Sequence, residues 1–372
     1  MTEHFTEPLD TARIRSELEQ LVAVSSPSGD HPGAERALEL CRGFLPARAG
    51  HERLPCATRG CADDQLSVLN GSGRGKLLLL GHIDTVFAHG EHQPPRQEGN
   101  RLYGSGTIDM KGGVALAVAL ARMLDPAGYE QLAVLLVCDE EWRTEQFAHI
   151  ERFRGYDACL CFEAGERTEQ GEAGVIATRK GAGTLRLRAH GRAAHAGAAP
   201  WEGRNALLAL AHAALTIERE NDPNGPQRLS VVPTVLNSGC ATNVVPASGE
   251  LVVDMRAADI AAFEKVLAAA PRDYAGVELE AIMERVWPAM NSAQPTAALL
   301  GAASSRLGRP IVAGSRGGAS DASHFATLIP LTLDGLGPVG GGAHSPQEFV
   351  ELDSLGERTA VALAIAEAVL DR

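Results

Sequence analysis

Leu77-Leu78-Leu79-Leu80-Gly81-His82-Ile83-Asp84-Thr85-Val86 reads as a buried strand that runs into chemistry. Four consecutive leucines leave no polar face, so the run belongs to a strand covered on both sides, as in a parallel sheet flanked by helices. His82 and Asp84 stand two residues apart and project to the same side. His82 can give one ring nitrogen to a metal, while Asp84 either binds too or accepts the other ring N–H and sets the tautomer. Taken alone, His-x-Asp is more commonly a core histidine bonded to a neighbouring acid, and other acids along the chain decide between the readings.

Similar short apolar runs recur at 132–138 and 158–162, with a small-residue helix at 110–124 between the first two strands. Helices are expected at 10–24 and 33–44, separated by the turn cluster Ser25-Ser26-Pro27-Ser28-Gly29. Strands alternating with helices predict an α/β domain with a mixed, mostly parallel sheet. Near Arg179 the pattern changes: Leu185, Leu187 and Ala189 alternate with Arg186, Arg188 and His190, the mark of a strand with one dry and one wet face. A helix at 205–219, strands at 230–236 and 250–256, a helix at 259–270 and a strand at 277–283 complete a β-α-β-β-α-β order. That order predicts a ferredoxin-like α+β domain at 179–294, inserted into a larger domain made of 1–178 and 295–372. The return carries a helix, the glycine-rich segment 314–320, a strand at 329–333 and a closing helix at 352–372.

The chain has 372 residues and a formal charge of −13, which disfavours nucleic acid and anionic membrane as partners because both require basic patches. Its length allows two domains. Seven cysteines without a CxxC pair read as reduced and mostly buried. Met1 to Asp10 lacks the basic start and apolar run of a signal peptide, and no stretch is apolar enough to span a membrane, so a cytoplasmic protein is expected.

Downstream of His82, Gly104-Ser105-Gly106-Thr107-Ile108-Asp109-Met110-Lys111-Gly112-Gly113 places Asp109 where a loop enters a helix. Asp109 there is an N-cap or a carboxylate able to bridge two cations. The run 132–138 leads into Asp139-Glu140-Glu141, three acids at the carboxyl end of a buried strand, where open α/β sheets bind ligands. Such crowding is unfavourable without compensating cations; a solvated acidic turn is the alternative. Glu163 follows the next apolar run, and His344 follows the loop Gly337-Pro338-Val339-Gly340-Gly341-Gly342, whose backbone can approach a ligand closely. His82, Asp109, Glu141, Glu163 and His344 form a nitrogen and oxygen donor set that fits zinc, with cobalt or manganese as alternative occupants. Such a set is enough for two metals, and it leaves Glu140 free as a base for hydrolysis.

This combination resembles the dinuclear zinc metallopeptidase and amidohydrolase family that includes glutamate carboxypeptidase, aminoacylase, acetylornithine deacetylase and succinyl-diaminopimelate desuccinylase. The resemblance spans nearly the whole chain. It implies a zinc-peptidase-like catalytic domain, an inserted dimerisation domain and two Zn2+ per subunit. It also implies Asp109 as the bridging ligand, Glu140 as the base followed by the ligand Glu141, and Asp84 beside the first ligand. Gly191-Arg192-Ala193-Ala194-His195-Ala196-Gly197 is similar to the family segment whose histidine reaches the partner subunit's site, so His195 is implied as the oxyanion donor. Asn243, Arg256, Arg316 and Gly341 are implied as substrate contacts. The chain departs from the family at Trp142-Arg143-Thr144, where the carboxypeptidases continue with a Lys-Gly-Ser-like stretch, and around Trp287-Pro288.

The function expected from these observations is that of a homodimeric hydrolase that cleaves an amide bond next to a free carboxylate in a dipeptide or N-acyl amino acid, as a glutamate carboxypeptidase does. An N-acyl amino acid deacylase shares every catalytic residue and is the alternative. A catalytically silent ligand-binding protein is the alternative of another class.

Overall fold

The computed structural model describes residues 7–372; Met1 to Thr6, the start of the polar segment expected to be no signal peptide, lie outside the described residues. The chain forms two compact units. The first takes the chain up to Thr178, with Met290–Arg316 and Ser320–Arg372, and the second comprises Arg179–Ala289 and Gly317–Ala319.

The first unit is built on a six-stranded sheet in the order Gly50–Leu54, Asp64–Asn70, Gln131–Val137, Lys76–His82, Ala158–Cys161, Leu331–Leu333. The last four strands run parallel, and the first two pair antiparallel with their neighbours. The leucine run explains the layering. Leu77 and Leu79 enter one core cluster with Leu116 and Val118, while Leu78 and Leu80 enter another with Phe153 and Phe325. Both faces of the strand are therefore dry.

Helix Gly112–Met123 is buried at every position, so it lies in the core rather than on the surface. Its small residues allow that closeness. At Gly113 an added Cβ would stand 1.8 Å from the Phe162 carbonyl oxygen, leaving room for no other residue. Helices Thr11–Val22 and His31–Phe44 start where Asp10 and Asp30 accept the N–H groups of Arg13 and Gly33.

Several strands of this unit escape a reading of apolar runs, among them the buried Asp64–Asn70 and Ala173–Arg179, whose apolar residues are interrupted by polar ones. Gly50–Leu54 is a largely exposed edge strand, and a smaller sheet joins Gly340–Gly341, Phe349–Glu351, Arg101–Tyr103 and Arg96–Glu98. Short strands with exposed residues carry little hydrophobic signal. The glycine-rich segment also differs from expectation, since Gly314 lies inside strand Ile311–Arg316. All seven cysteines are free thiols, five of them buried. Among the described residues no helix is long and apolar enough to cross a membrane.

The second unit is a five-stranded antiparallel sheet in the order Ser230–Ser238, Ser248–Ala257, Gly181–His190, Val277–Trp287, Asp273–Tyr274. With helices Ala206–Ile217 and Ala262–Ala269 it has the β-α-β-β-α-β order of a ferredoxin-like sandwich. Leu185, Leu187 and Ala189 face a core shared with Leu210, Ile217, Phe263 and Val266. Strand Val277–Trp287 runs past Met283 because a bulge at Thr184/Leu185 resets its register and pairing continues to Trp287. The edge strand leaves Val232, Val235 and Leu236 exposed, and the first helix exposes Leu207, Leu208 and Leu215.

Gly113→Ala is expected to lower stability by about 1–3 kcal/mol through overpacking against the Phe162 carbonyl. Urea unfolding checks this, and an unchanged midpoint would contradict the contact.

Candidate metal centre

Parallel pairing assembles the site. His82 is in register with Val137, and Leu80 with Cys161, so three neighbouring strands end at the same edge of the sheet. The residues at and just beyond these strand ends are therefore brought together: His82 on the first, Asp139-Glu140-Glu141 on the second and Glu163 on the third. Such edges are where open α/β sheets hold ligands.

Asp109 and His344 come to this edge from loops. His82 Nε2 lies 3.1 Å from Asp109 Oδ1 and 3.7 Å from Glu163 Oε1. His344 Nε2 lies 3.1 Å from Asp109 Oδ2 and 3.3 Å from Glu141 Oε1. The two oxygens of Asp109 thus face two different imidazoles. Asp109 is not an N-cap; helix Gly112–Met123 starts behind it without a side-chain cap. Ligand atoms of His82, Asp109 and Glu141 lie within 4.8 Å of one another. Two imidazoles and three carboxylates, with no thiolate, suit a borderline or hard divalent cation.

The carboxylates of the cluster draw positive charge toward them. His82 Nδ1 donates to the Asp84 carbonyl oxygen at 3.0 Å, with the Asp84 carboxylate at 3.4 Å, which leaves Nε2 to face the carboxylates. Burial opposes charge on His82, but hydrogen bonds to Asp109 and Asp84 raise its pKa well above the ordinary value. The Asp109 and Glu141 carboxylates push His344 up to about 10. Burial works against ionised Asp109, but the two histidines hold it below the usual carboxylate range. Glu140 has no imidazole in hydrogen-bonding contact among the described residues, and burial beside Asp321, Glu163 and Glu141 raises its pKa well above the ordinary value. One carboxyl of the cluster is thus set apart from the others by its surroundings.

The Asp84 carboxylate accepts the Ser28 hydroxyl at 2.6 Å and the backbone N–H groups of Glu140 and Glu141, each at 3.2 Å. Asp84 thereby locks the His82 strand end to the turn carrying Glu140 and Glu141.

Three further residues shape the site without having been legible as such. Arg143, in the segment that departs from the family, is fully buried and donates to Asp139 at 3.0 Å and to both oxygens of Asp321 at 2.5 and 3.0 Å. Its guanidinium also lies over the Phe147 ring. Arg358 donates to the carbonyls of Gly337 and Gly335, at 3.0 and 2.5 Å, anchoring the glycine loop ahead of His344. Glu348 accepts the N–H groups of Gly106, Ile108 and Asp109 at 2.9, 2.9 and 3.0 Å. Burial raises its pKa to about 7 against the pull of those three donors. For Arg143 the only signal in the sequence is its place two residues beyond the acids.

The remaining residues singled out from the sequence have other partners. Arg316 hydrogen-bonds Glu166 at 3.3 Å, and Gly341 pairs with Phe349 in the small sheet. In the second unit, Arg256 is held by both oxygens of Asp254 at 2.9 and 3.0 Å. The Asn243 carbonyl accepts the Ala196 N–H at 2.9 Å. His195 is exposed, and its Nδ1 accepts the N–H groups of Gly197 and Ala198 at 3.2 and 3.0 Å, which puts its proton on Nε2.

Arg143→Met is expected to cost about 3–5 kcal/mol, because it strands Asp139 and Asp321 as buried charges. Adding Asp321→Asn should recover part of the loss. Denaturant titration of the single and double variants measures both, and equal stability of all forms would contradict the buried pairing.

Residues 78–368 match the family described as Peptidase family M20/M25/M40. Over 363 residues the chain is 29% identical to carboxypeptidase G2 of Pseudomonas sp. (strain RS-16), covering 92% of this chain and 85% of that one. Over 365 residues it is 28% identical to a succinyl-diaminopimelate desuccinylase of Stenotrophomonas maltophilia (strain R551-3), covering 90% and 93%. In fold it is similar to an M20 family metallo-carboxypeptidase from Sulfolobus solfataricus, with a TM-score of 0.73 at 15% identity over 98% of this chain and 100% of that one. A tripeptidase from Staphylococcus aureus gives a TM-score of 0.76 at 18% identity over 98% and 100%. With most of its length matched, and with a nitrogen and oxygen donor cluster at the edge of its parallel sheet, the chain belongs to Peptidase family M20/M25/M40 and is a metal-dependent hydrolase.

Proposed function

We propose that this protein is a two-zinc hydrolase that cleaves an amide bond next to a free carboxylate, in the manner of a glutamate carboxypeptidase. The observation that carries the reading is the meeting of His82, Asp109, Glu141, Glu163 and His344, with Asp109 presenting one oxygen to each imidazole. His82, Asp109 and Glu163 would hold one ion, and His344, Asp109 and Glu141 the other. Two zinc ions bound there would supply Lewis acidity, making water a nucleophile near neutral pH and polarising the scissile carbonyl.

The chain's own residues do the rest. Glu140 takes the proton from the attacking water and passes it to the leaving amine, a task suited to a carboxyl with a raised pKa. Asp84 keeps the His82 tautomer and fixes the Glu140 backbone. His195, protonated on Nε2, donates to the developing oxyanion. Arg316, Arg256, Asn243 and the Gly341 backbone hold the substrate carboxylate and its neighbouring groups.

The protein acts as a cytoplasmic homodimer in this reading, with His195 of one subunit serving the partner's site. Support comes from the edge strand Ser230–Ser238 and helix Ala206–Ile217, whose exposed Val232, Val235, Leu236, Leu207, Leu208 and Leu215 give a second copy an apolar face to cover. Deacylation of an N-acyl amino acid is the second reading, favoured by the 28% identity to a desuccinylase.

Glu140→Gln should lower kcat by about 10²–10⁴-fold while elemental analysis finds metal content unchanged. Unaltered turnover with metal bound would remove Glu140 from the role of base. Chelation should abolish activity and added Zn2+ restore it. A panel of acylated glutamates, dipeptides and N-acetyl or N-succinyl amino acids separates the two readings by kcat/KM. Mixing inactive His195→Ala and inactive Glu140→Gln subunits should restore activity through hybrid dimers, and verified heterodimers that stay inactive would rule out a donor in trans.

A further inference from the structure

We infer that Glu348 is a positioning residue that fastens the Asp109 loop to the His344 loop and so sets the spacing of the two metal positions. The inference rests on the two-metal reading of the site. Glu348 lies four residues past His344 and is 2% exposed, yet among the described residues it forms an ion pair with no Lys, Arg or His; its carboxylate takes three backbone N–H groups instead. The donors belong to Gly106, Ile108 and Asp109 itself. Gly106 has φ +79, and an added Cβ there would stand 2.9 Å from Thr85 Cγ2, so the loop is wound into a concave array of N–H groups that a carboxylate fills.

The grip extends along the backbone. The Glu348 carbonyl accepts the Gly104 N–H at 3.1 Å, and beyond it Phe349, Val350 and Glu351 pair with Tyr103, Leu102 and Arg101. At the other end of the same segment, His344 reaches Asp109 Oδ2 from a left-handed backbone conformation, φ 60. A non-glycine residue holds that conformation only where its surroundings fix it. Glu348 and His344 therefore grasp Asp109 from its backbone and from its carboxylate. Three backbone N–H groups of one loop converging on one buried carboxyl fix the position of that loop, and with it where the carboxylate of Asp109 points.

Glu348→Gln tests this, since it keeps size and one acceptor oxygen but turns an NH2 group toward the donors. Apo protein of wild type and variant is titrated with Co2+ and Zn2+ by calorimetry, and the Co2+ absorption spectrum reports the ligand geometry. The folded variant, judged by circular dichroism, should show a Kd raised about 10- to 100-fold for at least one ion and an altered Co2+ spectrum. Glu348→Asp, which keeps the charge on a shorter stem, should fall in between. A folded variant matching wild type in both affinity and spectrum overturns the role of Glu348. Wild-type protein that takes up no divalent ion overturns the two-metal reading instead, and that result precedes any variant. Should the glutamine variant not fold, hydrogen exchange in the wild type decides: on chelation, 104–109 and 342–349 should lose protection together, and loss confined to one of them overturns the coupling.

Discussion

Asp109, with one carboxylate oxygen 3.1 Å from His82 and the other 3.1 Å from His344, is the contact on which the site depends. It joins an imidazole fixed at the end of a central strand to an imidazole on a loop that returns from the far end of the chain. Everything around it serves to keep that carboxylate in place: Glu348 holds its backbone, and the close packing at Gly113 seats the helix that follows it. The loop turns the two oxygens of Asp109 toward two different imidazoles at once.

The same edge gathers Asp84, Asp139, Glu140, Glu141, Glu163 and Asp321, a density of negative charge that burial makes costly. The structure handles these acids in different ways. Asp84 is met by a hydroxyl and two backbone N–H groups, and Asp139 and Asp321 share the buried Arg143. Glu141 and Glu163 lie against the imidazoles, leaving Glu140 the least compensated of the set. That inequality separates carboxyls of like chemistry by their surroundings: some are matched by fixed donors or by Arg143, some face the imidazoles, and Glu140 is left with a raised pKa.

Much of this was legible in the chain. The Leu77-Leu80 run announces a strand buried on two faces, and the alternation from Leu185 to His190 announces a sheet with one wet face, because side-chain periodicity is a local property. Acids directly after apolar runs mark strand ends, and strand ends mark a ligand edge. Harder to see were the strands Gly50–Leu54 and Phe349–Glu351, which carry too few buried residues to make a pattern. Arg143 was visible only as a departure in the turn after the acids. Nothing in its neighbourhood indicates a buried arginine, since its partner Asp321 stands 178 residues away.

By itself, then, the sequence determined the two kinds of sheet, the central strands with uninterrupted apolar runs and the residues that stand at their ends, since all of these follow from the spacing of apolar side chains and the chemistry of the residue that interrupts them. Only the tertiary structure decided which loop meets which strand end. Glu348 reaches Gly106 across 242 residues, and the hydrogen bond between them exists because the parallel register and the small sheet bring both segments to one edge. A contact of that range has no local signature. It is set by how the layers pack, and with it are set the direction of Asp109 and the approach of His344.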